Sequence, residues 1–96
     1  MTSKQRSYLM SLAAKLDPVV HVGKDGATPE VTASAEEAVK ARELIKIDVL
    51  KNCVYDIREI AETIAERTRA TVVTVIGRKI VLYRPNPDKK NRIELP

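Results

Sequence analysis

Tryptophan and phenylalanine are absent from this chain of 96 residues, and tyrosine occurs three times. A sheet carrying several aromatic platforms for stacked nucleobases is therefore excluded, so any grip on nucleic acid must lean on phosphate, sugar and shape. The single cysteine, Cys53, cannot form an internal disulfide, and a cytoplasmic setting is expected. It has no sequence-adjacent partner that would activate a nucleophile, which leaves a packing or surface thiol. The one histidine, His21, stands among valines in a short apolar run, where a packed, hydrogen-bonded ring is expected rather than a general base. No cluster of His, Cys, Asp and Glu has metal-ligand spacing, and no serine sits in a nucleophile motif. The expectation is a binding protein and not an enzyme, with no metal and no cofactor. No apolar run approaches the roughly 18 residues that cross a bilayer, and the polar start from Met1 to Arg6 does not read as a signal peptide. No membrane partner is expected.

Against these gaps stands an excess of charge. Seventeen Lys and Arg against 13 Asp and Glu give a net +4, compatible with a polyanionic partner without requiring one. The length fits one domain spanning 1–96, large enough to bury a core without a staple. Repeats and low-complexity tracts are missing.

The periodicities alternate. Ser3 begins a helical stretch with Tyr8, Leu9, Leu12 and Leu16 on one face, stopped by Asp17-Pro18. Val19 to Val22 reads as a short strand. Val31, Ala35, Ala38 and Val39 mark the buried face of a second helix, with Glu36, Glu37 and Lys40 in solvent. From Leu44 to Val49 the period falls to two: Ile45, Ile47 and Val49 face a core, while Lys46 and Asp48 face water. Asp56 caps a third helix, strongly amphipathic through Ile57, Ile60, Ala61, Ile64 and Ala65, with Arg67 and Arg69 at its end. Val72–Ile76 and Ile80–Tyr83 form a hairpin about Gly77-Arg78-Lys79. A proline-rich, charged tail closes on the apolar pair Ile93 and Leu95. The predicted order is αβαβαββ, an α/β domain of α+β character with a four-stranded mixed sheet. Ile45, Ile47, Ile57, Ile60, Ile64, Val73 and Val75 are expected to share one core.

Glycine is scarce too, three residues, and two of them stand in Gly23-Lys24-Asp25-Gly26. This G-x-x-G loop lies between a strand and a helix start, with Thr28 as N-cap and Pro29 in the first helical position. Glycines let a ligand approach the backbone closely, and the unpaired N–H groups of a helix N-terminus favour an anion. A nucleic-acid phosphate is the natural occupant; the alternative is a plain strand-to-helix turn. Further cations are Arg78 and Lys79 in the hairpin turn, Arg84 after the last strand, and Lys4, Arg6 and Lys15 around the first helix. Asp25 opposes Lys24 locally, and is expected to turn its carboxylate away from the anion.

Three segments together carry a family resemblance: Leu16-Asp17-Pro18-Val19-Val20-His21-Val22-Gly23-Lys24-Asp25-Gly26, Glu43-Leu44-Ile45-Lys46-Ile47, and Val75-Ile76-Gly77-Arg78-Lys79-Ile80-Val81-Leu82-Tyr83-Arg84-Pro85. In order and spacing they resemble the YhbY family, the bacterial stand-alone form of the chloroplast RNA splicing and ribosome maturation (CRM) domain. The resemblance spans about Thr2 to Leu95. It implies a fold similar to the C-terminal domain of translation initiation factor three. It also implies RNA binding through Gly23, Lys24, Asp25 and Gly26, with Arg78, Lys79 and Arg84 as neighbouring basic positions. The implied partner is precursor RNA of the large ribosomal subunit, and the implied role is subunit assembly. The other reading is an adapter that docks on ribosomal or assembly proteins through a wet sheet face or the apolar tail.

Overall fold

The hydroxyl of Thr2 accepts the Gln5 N–H, and the Gln5 side chain accepts the Thr2 N–H in return, closing a capping box that starts helix α1 (Ser3–Ala13). The computed structural model describes residues 1–96 and continues through β1 (Val20–Val22), α2 (Pro29–Arg42), β2 (Leu44–Val49), α3 (Ile57–Thr68), β3 (Thr71–Ile76) and β4 (Lys79–Tyr83). The predicted order αβαβαββ is the observed one. The strands form a single sheet in the order β1-β2-β4-β3. β1 pairs with β2 in parallel, with α2 as the crossover, and the other two pairings are antiparallel.

Alternation along the strands sends apolar residues to both faces of the sheet, and each face has its own cover. On one, α2 contributes Ala35 and Val39, and α3 contributes Ile60, Ala61, Ile64 and Ala65. They pack on Val20, Val22, Ile45, Ile47, Val49, Ile80 and Leu82. On the other, Leu9 and Ala13 of α1 pack on Leu44, Val73, Val81 and Tyr83, joined by Ile93 and Leu95 from the tail.

That second cluster corrects several expectations. Val73 does not share a core with Ile60 and Ile64; it is fully buried beneath α1. The cause is a bulge in β3: the register against β4 slips between Val72 and Thr74, so the simple alternation of Val73 with Val75 does not hold. The polar face of β2 is not simply wet, since Lys46 and Asp48 are only part-exposed: Lys46 shares a groove with the end of α1, and Asp48 is flanked by Lys79 and His21. Tyr8 and Leu16 stay more than a third exposed, and α1 fully buries only Leu9 and Ala13. His21 is not packed among the valines. Its side chain points to the α1 face at 57% exposure, with Nδ1 3.6 Å from Asp48.

The turn from α2 into β2 is built on Glu43, which adopts a left-handed φ of 65° and is completely buried. Its carboxylate accepts the backbone N–H groups of Asn86 and Ile93, both at 2.8 Å, and its carbonyl accepts the N–H of Arg84. A buried carboxylate is tolerable because donors surround it. The tail is thereby fastened to the domain. Burial, reinforced by the negative charge of Glu43, raises the neighbouring Tyr83 phenol above its ordinary pKa.

Candidate nucleic-acid interface

Because β1, β2 and β3 run in one direction and β4 returns, the connections leaving their C-terminal ends gather along one edge. These are the Gly23–Thr28 loop, the Leu50–Asp56 loop and the Gly77-Arg78 turn. The helices α2 and α3 both begin there, so two dipole-positive ends face the same way.

In the first loop the Gly26 N–H bonds to the Gly23 carbonyl at 3.1 Å, leaving Lys24 and Asp25 exposed at the tip of a tight turn. Gly26 has a φ of +71°, the region glycine favours. The Thr28 N–H then bonds back to the Gly26 carbonyl, and the Thr28 hydroxyl caps α2 by accepting the Val31 N–H. The N–H groups of Lys24 and Asp25 donate to nothing within the chain. Lys24 has no carboxylate partner either, since the ion pairs of the molecule join Asp48 to His21 and Lys79 and Glu36 to Arg84. The loop is held from behind by Arg67 of α3, whose guanidinium donates to the Ala27 carbonyl at 2.8 Å and to the Thr32 hydroxyl.

The remaining basic candidates separate. Arg78 sits in the hairpin turn at the same edge, but its guanidinium is spent on the carbonyls of Val49 and Leu50, so it clasps the second loop. Lys79 is the first residue of β4. It lies on the α1 face, half-exposed, 2.8 Å from Asp48. The Lys79 hydrogen bond is the main reason that the Asp48 carboxyl sits below the ordinary aspartate range, with His21 adding to it. Arg84 lies at the opposite end of the sheet, across the six-residue strand β2. Its guanidinium binds Glu36 at 2.6 Å and the Thr68 carbonyl at 2.7 Å, tying α2 to the end of α3.

Residues 1–84 match the CRS1 / YhbY (CRM) domain. The chain belongs to that family. It is 42% identical over 96 residues to "Probable RNA-binding protein YqeI" of Bacillus subtilis, covering 100% of this chain and 99% of that protein. Its identity to an "RNA-binding protein" of Haemophilus influenzae is 38%, over 100% of this chain and 95% of the relative. The solution structure of SAV1595 from Staphylococcus aureus superposes with a TM-score of 0.82 at 43% identity, covering 100% and 99% of the two chains.

Two residues of this CRM domain escape the sequence reading. Arg67, read as a complement to the α3 dipole, instead reaches across to brace the glycine loop. Tyr55 lies against Gly26: a Cβ placed on that glycine would stand 2.8 Å from Tyr55 Cδ2. A signal for Tyr55 does exist. It precedes the N-cap Asp56, and with Ile60 it lines a cleft between the loop and α3, the pairing of a hydrophobic staple.

Proposed function

We propose that this CRM domain binds RNA through the Gly23–Gly26 loop, and that its target is precursor RNA of the large ribosomal subunit during assembly in the cytoplasm. Gly23 carries the binding part of this reading. A Cβ there would meet nothing within 4 Å, and no left-handed φ demands glycine, so neither packing nor backbone explains the missing side chain. Close approach by a ligand does explain it. Next to Gly23 in the chain stand the free N–H groups of Lys24 and Asp25 and the unpaired Lys24 ammonium, and the capped start of α2 follows after Ala27. Phosphate oxygens would accept from the amides while Lys24 supplies a point charge. Family membership and the names of the two full-length relatives support RNA as the polyanion. The resemblance read from the sequence supports the ribosomal target. The surfaces suggested for a protein adapter are poorly placed, because Ile93 and Leu95 are packed down and α1 covers much of the second sheet face.

Gly23→Ala tests the clamp with the least disturbance to the fold. Binding of protein-free large-subunit precursor RNA should weaken about tenfold or more, the cost of losing an amide bond to a charged oxygen. The melting temperature should hardly move. Lys24→Ala should reduce the steepness of log K against log salt by about 0.7 for a single-stranded contact. Full affinity in a folded Gly23→Ala variant overturns the clamp. Binding to protein-covered particles but not to the free RNA would favour the adapter.

A further inference from the structure

The Leu50–Asp56 loop is unusual in what it exposes. Leu50 is 41% exposed, Tyr55 55% and Val54 85%, and Ile76 beside the neighbouring hairpin turn is exposed as well. Such a patch is expensive to leave in water without a use. The loop is not loosely held: Cys53 is buried beneath it, its N–H bonds to the Leu50 carbonyl, and Arg78 grips the Val49 and Leu50 carbonyls from the hairpin. The Tyr55 ring fills the space that a Cβ on Gly26, the last residue of the glycine loop, would need, while the residue stays 55% exposed.

We infer that Tyr55 is a stacking platform for one unpaired nucleobase, placed beside the phosphate held at Gly23–Gly26. The inference rests on the RNA-binding reading above and adds a preference for single strands to it. A nucleotide joins a charged phosphate to a flat, largely apolar base, and this edge offers the matching pair in contact with each other. Charge decides which half goes where. Lys24 and the free amides lie on the loop side, whereas the cleft beyond Tyr55 carries Asp25 and Glu59 with Arg67. Those carboxylates disfavour a phosphate but can accept hydrogen bonds from base amino groups, as they do with cytosine. The base therefore lies toward Tyr55 and α3, and the backbone toward Lys24 and α2. A base inside a duplex is already stacked on both faces and cannot reach the ring.

The test uses the full chain and a short oligocytidylate, free or annealed to its complement. Tyr55→Phe keeps the ring and its contact with Gly26, and should bind the free strand as the unaltered protein does. Tyr55→Leu keeps apolar cover over Gly26 without a π face, and should bind the free strand about tenfold more weakly, as expected for a lost base–aromatic stack. Its duplex binding should be unchanged. In a Tyr8→Phe background, where Tyr55 is the one exposed tyrosine and no tryptophan interferes, tyrosine fluorescence should be quenched by the free strand. Equal single-strand affinity for folded Tyr55→Leu and the parent overturns the platform, as does quenching that persists in Tyr55→Leu. If Gly23→Ala still weakens binding in that case, the phosphate clamp stands alone. A parent protein that binds neither strand form overturns the RNA-binding reading and the platform together.

Discussion

A Cβ on Gly26 would stand 2.8 Å from Tyr55 Cδ2 and 3.1 Å from Cε2, while one on Gly23 meets open space. The two glycines of one motif thus answer to different constraints. At Gly26 any side chain must displace a ring and hold a φ of +71°, so Gly26→Ala should cost about 1–2 kcal/mol from the backbone alone. Chemical denaturation of both alanine variants should show that loss at Gly26 and almost none at Gly23. The motif is legible in the sequence, since loop glycines and an N-cap are local signals. The Tyr55 contact is not, because two distant loops meet only once β1 and β2 have paired.

Helix faces follow from spacing, and α2 and α3 present the residues that their periodicity assigns: Ala35 and Val39, then Ile60, Ala61, Ile64 and Ala65. Ile60→Ala, at a site only 4% exposed, should lower unfolding free energy by about 2–5 kcal/mol. Val73→Ala should also destabilise, by loosening α1 from the sheet while leaving the α2–α3 side intact. Amide exchange should therefore quicken in α1 for Val73→Ala and in α3 for Ile60→Ala; the reverse pattern would show that the two clusters are misassigned. Strand β3 is where alternation fails as a guide. A bulge is a property of a pair of strands, and nothing in Val72-Val73-Thr74-Val75 alone announces where its register will slip.

Across the whole molecule, the matched family region ends at residue 84, yet the tail beyond it supplies both backbone N–H groups that the Glu43 carboxylate accepts. Glu43→Ala leaves those two N–H groups without their acceptor and should cost about 1–3 kcal/mol. Faster exchange of the Asn86 and Ile93 amides would show the tail detaching. Glu43→Gln removes the charge and keeps one of the two acceptor oxygens, so one tail amide stays bonded and the raised pKa of Tyr83 should fall. The sign follows from linkage. The neutral buried phenol contributes stability that is present below its ordinary pKa of 10.0 and is lost as pH rises through the raised value. An unmoved alkaline absorbance transition in Glu43→Gln would show that burial alone sets the shift. The tail is hard to read beforehand because prolines and charges signal loop, while its anchor is a single carboxylate far back in the chain.

The bulge in β3 also bears on how safely this chain can be concentrated. Thr71-Val72-Val73-Thr74-Val75-Ile76 is uncharged, free of proline and rich in β-branched residues, and it forms an outer strand of the sheet. Segments of that kind are templates for cross-β stacking. Here the slipped register kinks the free margin, and the Arg6 guanidinium from α1 occupies the Val73 carbonyl at 2.5 Å and reaches that of Val72. On that geometry one cation should act as a gatekeeper against self-association. Arg6→Ala should raise light scattering and thioflavin binding on prolonged incubation while the monomer's melting temperature changes little. An equally clear solution would assign the protection to the kink alone.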